Sequence, residues 1–187
     1  MRITITRATK PICLPYHRPS SDPKSHSYVD LKKYPDEIAS IPEIRGWPAL
    51  ESALVDLNRG DTFRTVGCEK CFCPNADLWG VSGYLQVCFE DLALARDIDS
   101  HSHLFGAFEQ HAAHAWPDND TTVEFEMQET VSADKDMVFW SFSIWLVVPN
   151  CRSQDEAKQK WSSALRFICG FLLSTKPRKS VQVPNSP

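Results

Sequence analysis

The chain has 187 residues, 42% of them hydrophobic and 24% charged, with six Trp and ten Phe; this excludes an intrinsically disordered chain and suits one domain with a proper core. The net charge of −4 hides an asymmetry: residues 1–40 carry seven basic and four acidic side chains, residues 41–136 six and 18, and residues 137–187 seven and two. A middle segment at −12 repels nucleic acid and anionic lipid and attracts a basic protein, unless the basic ends neutralise it internally.

The amino terminus, Met1 to Thr6, alternates apolar and polar residues and lacks the continuous apolar run of an export signal. The longest apolar stretch, Phe167 to Leu173, falls far short of the roughly 20 residues a membrane span needs. Seven cysteines, an odd number with no signal ahead of them, read as free thiols. The expectation is a cytoplasmic protein with no membrane association.

More than half of the thirteen prolines fall within residues 7–48, and because proline fixes φ and removes a donor, this stretch cannot sustain regular structure. Residues 1–48 are therefore predicted to be an extended arm packed on the domain, with one short helix from Pro35. Residues 49–176 form the core domain, and residues 177–187 a mobile tail.

Within the core, Pro48 suits the first turn of a helix whose Leu50, Leu54 and Leu57 share a face, with Gly60 to end it. Thr62–Val66 and Val81–Glu90 read as strands joined by a long connection from Cys68 to Gly80. A third-element helix capped by Ser100 runs to about Ala115, with Leu104, Phe105, Phe108, Ala112 and Ala115 on one side. Thr121–Thr130 alternates Val123, Phe125 and Met127 with Glu124, Glu126 and Gln128, and Met137–Val148 is apolar enough on both faces to lie inside a sheet; the turn from Ser132 to Asp136 pairs them antiparallel. The last helix opens on the capping box Ser153-Gln154-Asp155-Glu156, followed by Trp161, Leu165, Ile168 and Leu172 at helical spacing. The predicted fold is α+β: a two-layer sandwich with an antiparallel sheet of four or five strands and helices packed on one face.

Two clusters invite metal chemistry. Cys68, Cys71 and Cys73 lie within six residues, and thiolates at that spacing can converge on a soft ion such as zinc, although they make only half a zinc site and also read as ordinary loop cysteines. His101, His103, His111 and His114 lie on or beside the third-element helix; projection places His103 and His114 on the same flank of its apolar stripe, but no acid of a His-Glu-x-x-His motif stands between ligands. Gly-x-Ser-x-Gly, Gly-x-Gly-x-x-Gly and the Lys-containing phosphate loop are all missing.

With no catalytic signature, the sequence points to a non-enzymatic, protein-binding module. In size and acidity it is similar to small bacterial inhibitors such as toxin-immunity proteins and antagonists of defence enzymes, a likeness of organisation that assigns no residue. A basic protein partner is expected on the hairpin face, with Glu124, Glu126, Glu129, Asp118, Asp120 and Trp116 as the candidate contacts and no cofactor beyond the possible zinc at Cys68, Cys71 and Cys73. The competing reading is a structural or catalytic zinc protein. The oligomeric state is not legible.

Overall fold

A computed structural model describes residues 2–16, 27–117, 120–133 and 137–176 of the protein; the predicted tail and part of the arm lie outside the described residues. The elements in chain order are β1 (Arg2–Arg7), β2 (Ile12–Leu14), two short 3-10 helices (Pro35–Ser40 and Pro42–Ile44), α1 (Pro48–Arg59), β3 (Phe63–Asn75), β4 (Leu78–Phe89), α2 (Leu92–Arg96), α3 (Ile98–Ala115), β5 (Thr122–Ser132), β6 (Met137–Cys151) and α4 (Gln154–Ser174). Among the described residues no helix is long and apolar enough to cross a membrane.

The fold is mixed α/β, built on one six-stranded sheet in the order β1-β5-β6-β4-β3, with β2 continuing along β5 beyond β1. The β3-β4-β6-β5 pairings are antiparallel, whereas β1 and β2 both run parallel to β5. The predicted purely antiparallel sheet is thus corrected to a mixed one. Ile3 and Ile5 alternate with Thr4 and Thr6 as a strand should, but their partner, β5, lies more than a hundred residues away along the chain.

The predicted Cys68–Gly80 connection is also corrected. Phe63–Asn75 is one continuous strand, bulged between Thr65 and Gly67, and it meets β4 through a tight turn in which Ala76 takes a φ of +50°. β3 forms an edge of the sheet, where a proline such as Pro74 is tolerated because a missing N–H need not break a ladder bond.

Side chains that alternate across the sheet leave one face dry. Val123 and Phe125 on β5, Phe142, Ile144 and Leu146 on β6, and Val81, Leu85 and Val87 on β4 are fully buried beneath α1, α3 and α4. Phe105 and Phe108 of α3 pack on Phe125 with ring centroids 4.8 and 5.1 Å apart. Trp161 of α4 is wholly enclosed, donates its indole N–H to the Leu146 carbonyl at 3.3 Å and meets Trp47 edge-on.

The helix ends follow their capping chemistry. Ser153 Oγ accepts from the Glu156 amide, and Glu156 returns a carboxylate oxygen to the Arg152 amide, so the predicted box caps α4 with its second bond one residue earlier than the usual form. The cap of α3 is Asp97 rather than Ser100: its carboxylate accepts from the Asp99 amide and from the Ser100 hydroxyl.

Beyond the β1 and β2 ladders, side chains fasten the arm to the domain. Gln128 donates to the Lys10 carbonyl at 2.9 Å; Arg64 makes a two-pronged contact with Asp30 at 3.0 and 3.1 Å and also meets Glu90 at 3.4 Å; Lys32 Nζ donates to the Gly60 carbonyl. Burial beside Arg64 pushes the Tyr28 hydroxyl up to about 12, so it stays protonated at neutral pH.

Two glycines separate close approach from open space. A Cβ on Gly83 would stand 2.5 Å from the Glu69 carbonyl oxygen, whereas one on Gly106 of α3 meets nothing. Gly83→Ala is expected to lower stability by about 1–3 kcal/mol through overpacking, and Gly106→Ala to raise it by about 0.5–1 kcal/mol through helix propensity. Urea denaturation of the two variants checks this, and equal effects would contradict the packing described.

Candidate functional site

Among the described residues no helix layer covers the second face of the sheet. In its upper part the arm roofs a polar network: Gln86 donates to Ser141 Oγ at 2.9 Å and to Gln128 Oε1 at 3.1 Å, and the Thr130 and Ser141 hydroxyls lie 2.7 Å apart. Gln86, Thr130, Ser141 and Ser143 are buried, and buried polar groups of this kind stay only where they are mutually satisfied.

Beside this network the sheet opens into a groove of about 880 Å³, walled on one side by Ile12, Cys13, Pro15 and Tyr16 of the arm and floored by β3, β4, β5 and β6. Strand register determines the chemistry of the floor. Glu69 lies opposite Tyr84, Tyr84 opposite Trp145, and Trp145 opposite Glu124, so one row across four strands reads acid, aromatic, aromatic, acid. The two rings approach to 4.6 Å between centroids at a tilt of 49°. In the adjacent row Glu126 accepts the Trp145 indole N–H at 3.1 Å, which fixes the ring over the groove. Thr6 of β1 donates to Glu124 at 2.8 Å. Gly67, opposite Gln86, leaves space that the Tyr16 hydroxyl and the Tyr84 ring edge approach.

Among the described residues no lysine or arginine lines this groove, and no ion pair involves Glu69, Glu124 or Glu126. Two carboxylates of the floor, Glu69 and Glu126, thus stand beside an aromatic surface with no ion-pair partner among the described residues.

The predicted contacts do not all gather here. Glu124 and Glu126 do, on the open face. Glu129 lies opposite Trp140 and, three positions from Glu126, projects from the other side of the sheet. Trp116 is a packing residue, meeting Phe108 at 6.1 Å and Phe167 at 5.1 Å between ring centroids, because the end of α3 turns its ring towards α4. Asp120 is exposed just before β5, and Asp118 lies outside the described residues. Sequence reasoning missed Glu69, Tyr84 and Trp145; the available signal was two large aromatics at positions where alternating strands should turn a polar face outward.

The proposed metal ligands separate as well. Because β3 is extended, Cys71 and Cys73 share one face with Sγ atoms 3.7 Å apart, while Cys68 projects from the other, where burial pushes its thiol up to about 12. All seven cysteines are free. His103 and His114 lie on one continuous helix, eleven residues and therefore about 16 Å apart along its axis, too far to share an ion. His111 stacks on Phe167 and Phe171, and His101 is fully buried. Among the described residues no three His, Cys, Asp or Glu side chains are grouped to hold a metal.

No protein-family model matches the chain, and neither the curated proteins nor the solved structures provide a match. Its functional reading rests on its own geometry.

His101 gives this architecture a pH signature. Its ring lies between Phe89 and Phe142, and Nδ1–H donates to the Asp97 carbonyl at 3.0 Å; burial lowers its pKa from the ordinary 6.5. The unfolded chain therefore takes up a proton near pH 6.5 that the fold refuses, so this contribution is complete above that pH and is lost as pH falls. Between pH 6.5 and 5 the parent should lose stability faster than His101→Asn by up to one proton, about 1.4 kcal/mol per pH unit. Denaturant midpoints at pH 5, 6 and 7 measure the two slopes; parallel curves would remove His101 as the cause.

Proposed function

We propose that this protein is a non-enzymatic binding module of the small acidic inhibitor type, whose groove on the open sheet face receives a basic side chain of a protein partner. The observation that carries the proposal is the cross-strand row Glu69-Tyr84-Trp145-Glu124. A cation entering that row finds a ring face for its flat surface and carboxylates on both flanks. An arginine suits it better than a lysine, because the guanidinium is planar, stacks on aromatic rings and is more weakly hydrated than an ammonium.

The acids and the aromatics have separable duties in this reading. Open-face carboxylates act at a distance and raise the encounter rate, while a large enclosed aromatic holds the partner once it has arrived. The supporting network of Gln86, Gln128 and Ser141 keeps the floor in place before binding, which lowers the ordering cost of association. A cytoplasmic inhibitor directed at a basic toxin or nucleic-acid-acting enzyme is the class of protein this arrangement serves.

The test begins with side-by-side capture from the native cell by the parent and by a Glu69→Gln, Glu126→Gln double variant. A basic protein should be retained by the parent. With that protein purified, the double variant should slow association by about tenfold at low salt, with the difference shrinking as salt is added. Trp145→Leu should instead accelerate dissociation by roughly 30-fold, the equivalent of about 2 kcal/mol for a hot-spot aromatic. A captured partner that binds both variants with parental rates would place its docking surface elsewhere.

A further inference from the structure

We propose that Cys71 and Cys73 form a two-thiolate site for a soft monovalent cation, Cu(I), at the far end of β3. The inference is independent of the function proposed for the groove. Residues two apart on a strand project from the same face, and here that places two exposed sulfurs 3.7 Å from each other. A two-coordinate Cu(I) holds its thiolates nearly opposite one another, with the sulfurs somewhat farther apart than this, and rotation about the side-chain bonds of the two exposed cysteines opens the pair without a change in backbone.

The strand opposite keeps the pair open. Cys71 faces Ser82 and Cys73 faces Gly80, a hydroxymethyl group and a bare backbone. Gly80 is held to that size because a Cβ there would come within 2.9 Å of the Val148 carbonyl oxygen. No large side chain on β4 stands directly across from either sulfur, and an ion can reach them from solvent.

Ligand number decides which ion. Cys68 projects from the opposite face, and no third His, Cys, Asp or Glu is grouped with the pair among the described residues. Zinc and iron–sulfur clusters call for four protein donors in structural sites. Cu(I) is the soft ion selected by thiolates that accepts two. On binding, each thiol loses its proton to water and each sulfur donates a pair to the ion, giving a bis-thiolate complex with one net negative charge and two protons released. Because the ion is held by thiolates, it displaces protons and its affinity climbs with pH.

The experiment titrates reduced full-length protein into a coloured Cu(I)–bicinchoninate solution. One equivalent of ion per chain should be withdrawn from the chelator, with affinity rising by up to about two decades per pH unit below the thiol pKa values. Cys71→Ser and Cys73→Ser should each weaken binding by more than about 100-fold, the most that loss of a merely supporting partner costs, while Cys13→Ser leaves it unchanged. In the unsubstituted protein Cu(I) should shield Cys71 and Cys73 together from iodoacetamide and leave Cys13 open to alkylation, a readout that does not depend on any variant folding. Parental affinity in the Cys71→Ser, Cys73→Ser double variant, or protection of Cys13 in place of the pair, would overturn the assignment.

Discussion

Strand β6 is hydrogen-bonded on both flanks, to β5 from Met137 to Val147 and to β4 from Phe142 to Cys151, and the rest of the molecule depends on the two unlike faces this gives it. Phe142, Ile144, Leu146 and Val148 project one way and are buried completely, while Ser141, Ser143, Trp145 and Val147 project the other. A one-residue slip in either pairing would exchange the two sets. Burying the apolar set is worth roughly 1.5–3 kcal/mol for each large side chain, so register, helix side and open side are fixed by the same contact.

That choice creates a second requirement. Ser141 and Ser143 are as deeply buried as many core residues, and a hydroxyl removed from water without a partner costs about 1–3 kcal/mol. Gln86 from β4, Thr130 and Gln128 from β5 meet the need at Ser141, and the Gln128 side-chain amide donates to the Lys10 carbonyl. The arm is thereby attached to the sheet through the network that its own roofing makes necessary. Beside this roof, between Tyr16 of the arm and the floor that carries Tyr84 and Trp145, lies the groove.

The three long helices and the central hairpin were legible because their signals are local, whereas α2 was not read. A capping box opens α4, a first-turn proline opens α1, and β5 alternates without interruption from Val123 to Gln128. What the sequence concealed is non-local. Nothing near Ile3 or Ile5 names β5 as their partner, and the Cys-Phe-Cys-Pro run at the end of β3 resembles a loop until Phe72 is seen packing against Trp47 at 5.5 Å. The same holds for the site: Glu124 and Glu126 announced themselves by alternation, but Tyr84 and Trp145 lie 61 positions apart and become neighbours only through the β4–β6 register. Glu129 was misplaced through parity, since an odd step along a strand crosses the sheet.

The charge asymmetry finds its physical meaning in how the ion pairs are distributed. Arg59 pairs with Asp56 one helical turn away, Lys160 with Glu156 on its own helix, and Arg64 with Asp30 and Glu90 at the arm. None of these draws on the groove acids. Had the basic residues beyond position 137 neutralised the middle segment, lysines or arginines of α4 would have to reach across the sheet to Glu69 or Glu126, yet α4 packs on the dry face and the sheet lies between them. Among the described residues, therefore, none of the ion pairs neutralises the groove acids. In the binding mode proposed for the groove, the aromatic row is where an arriving cation would lose part of its hydration against the rings while the flanking carboxylates replace what the water supplied.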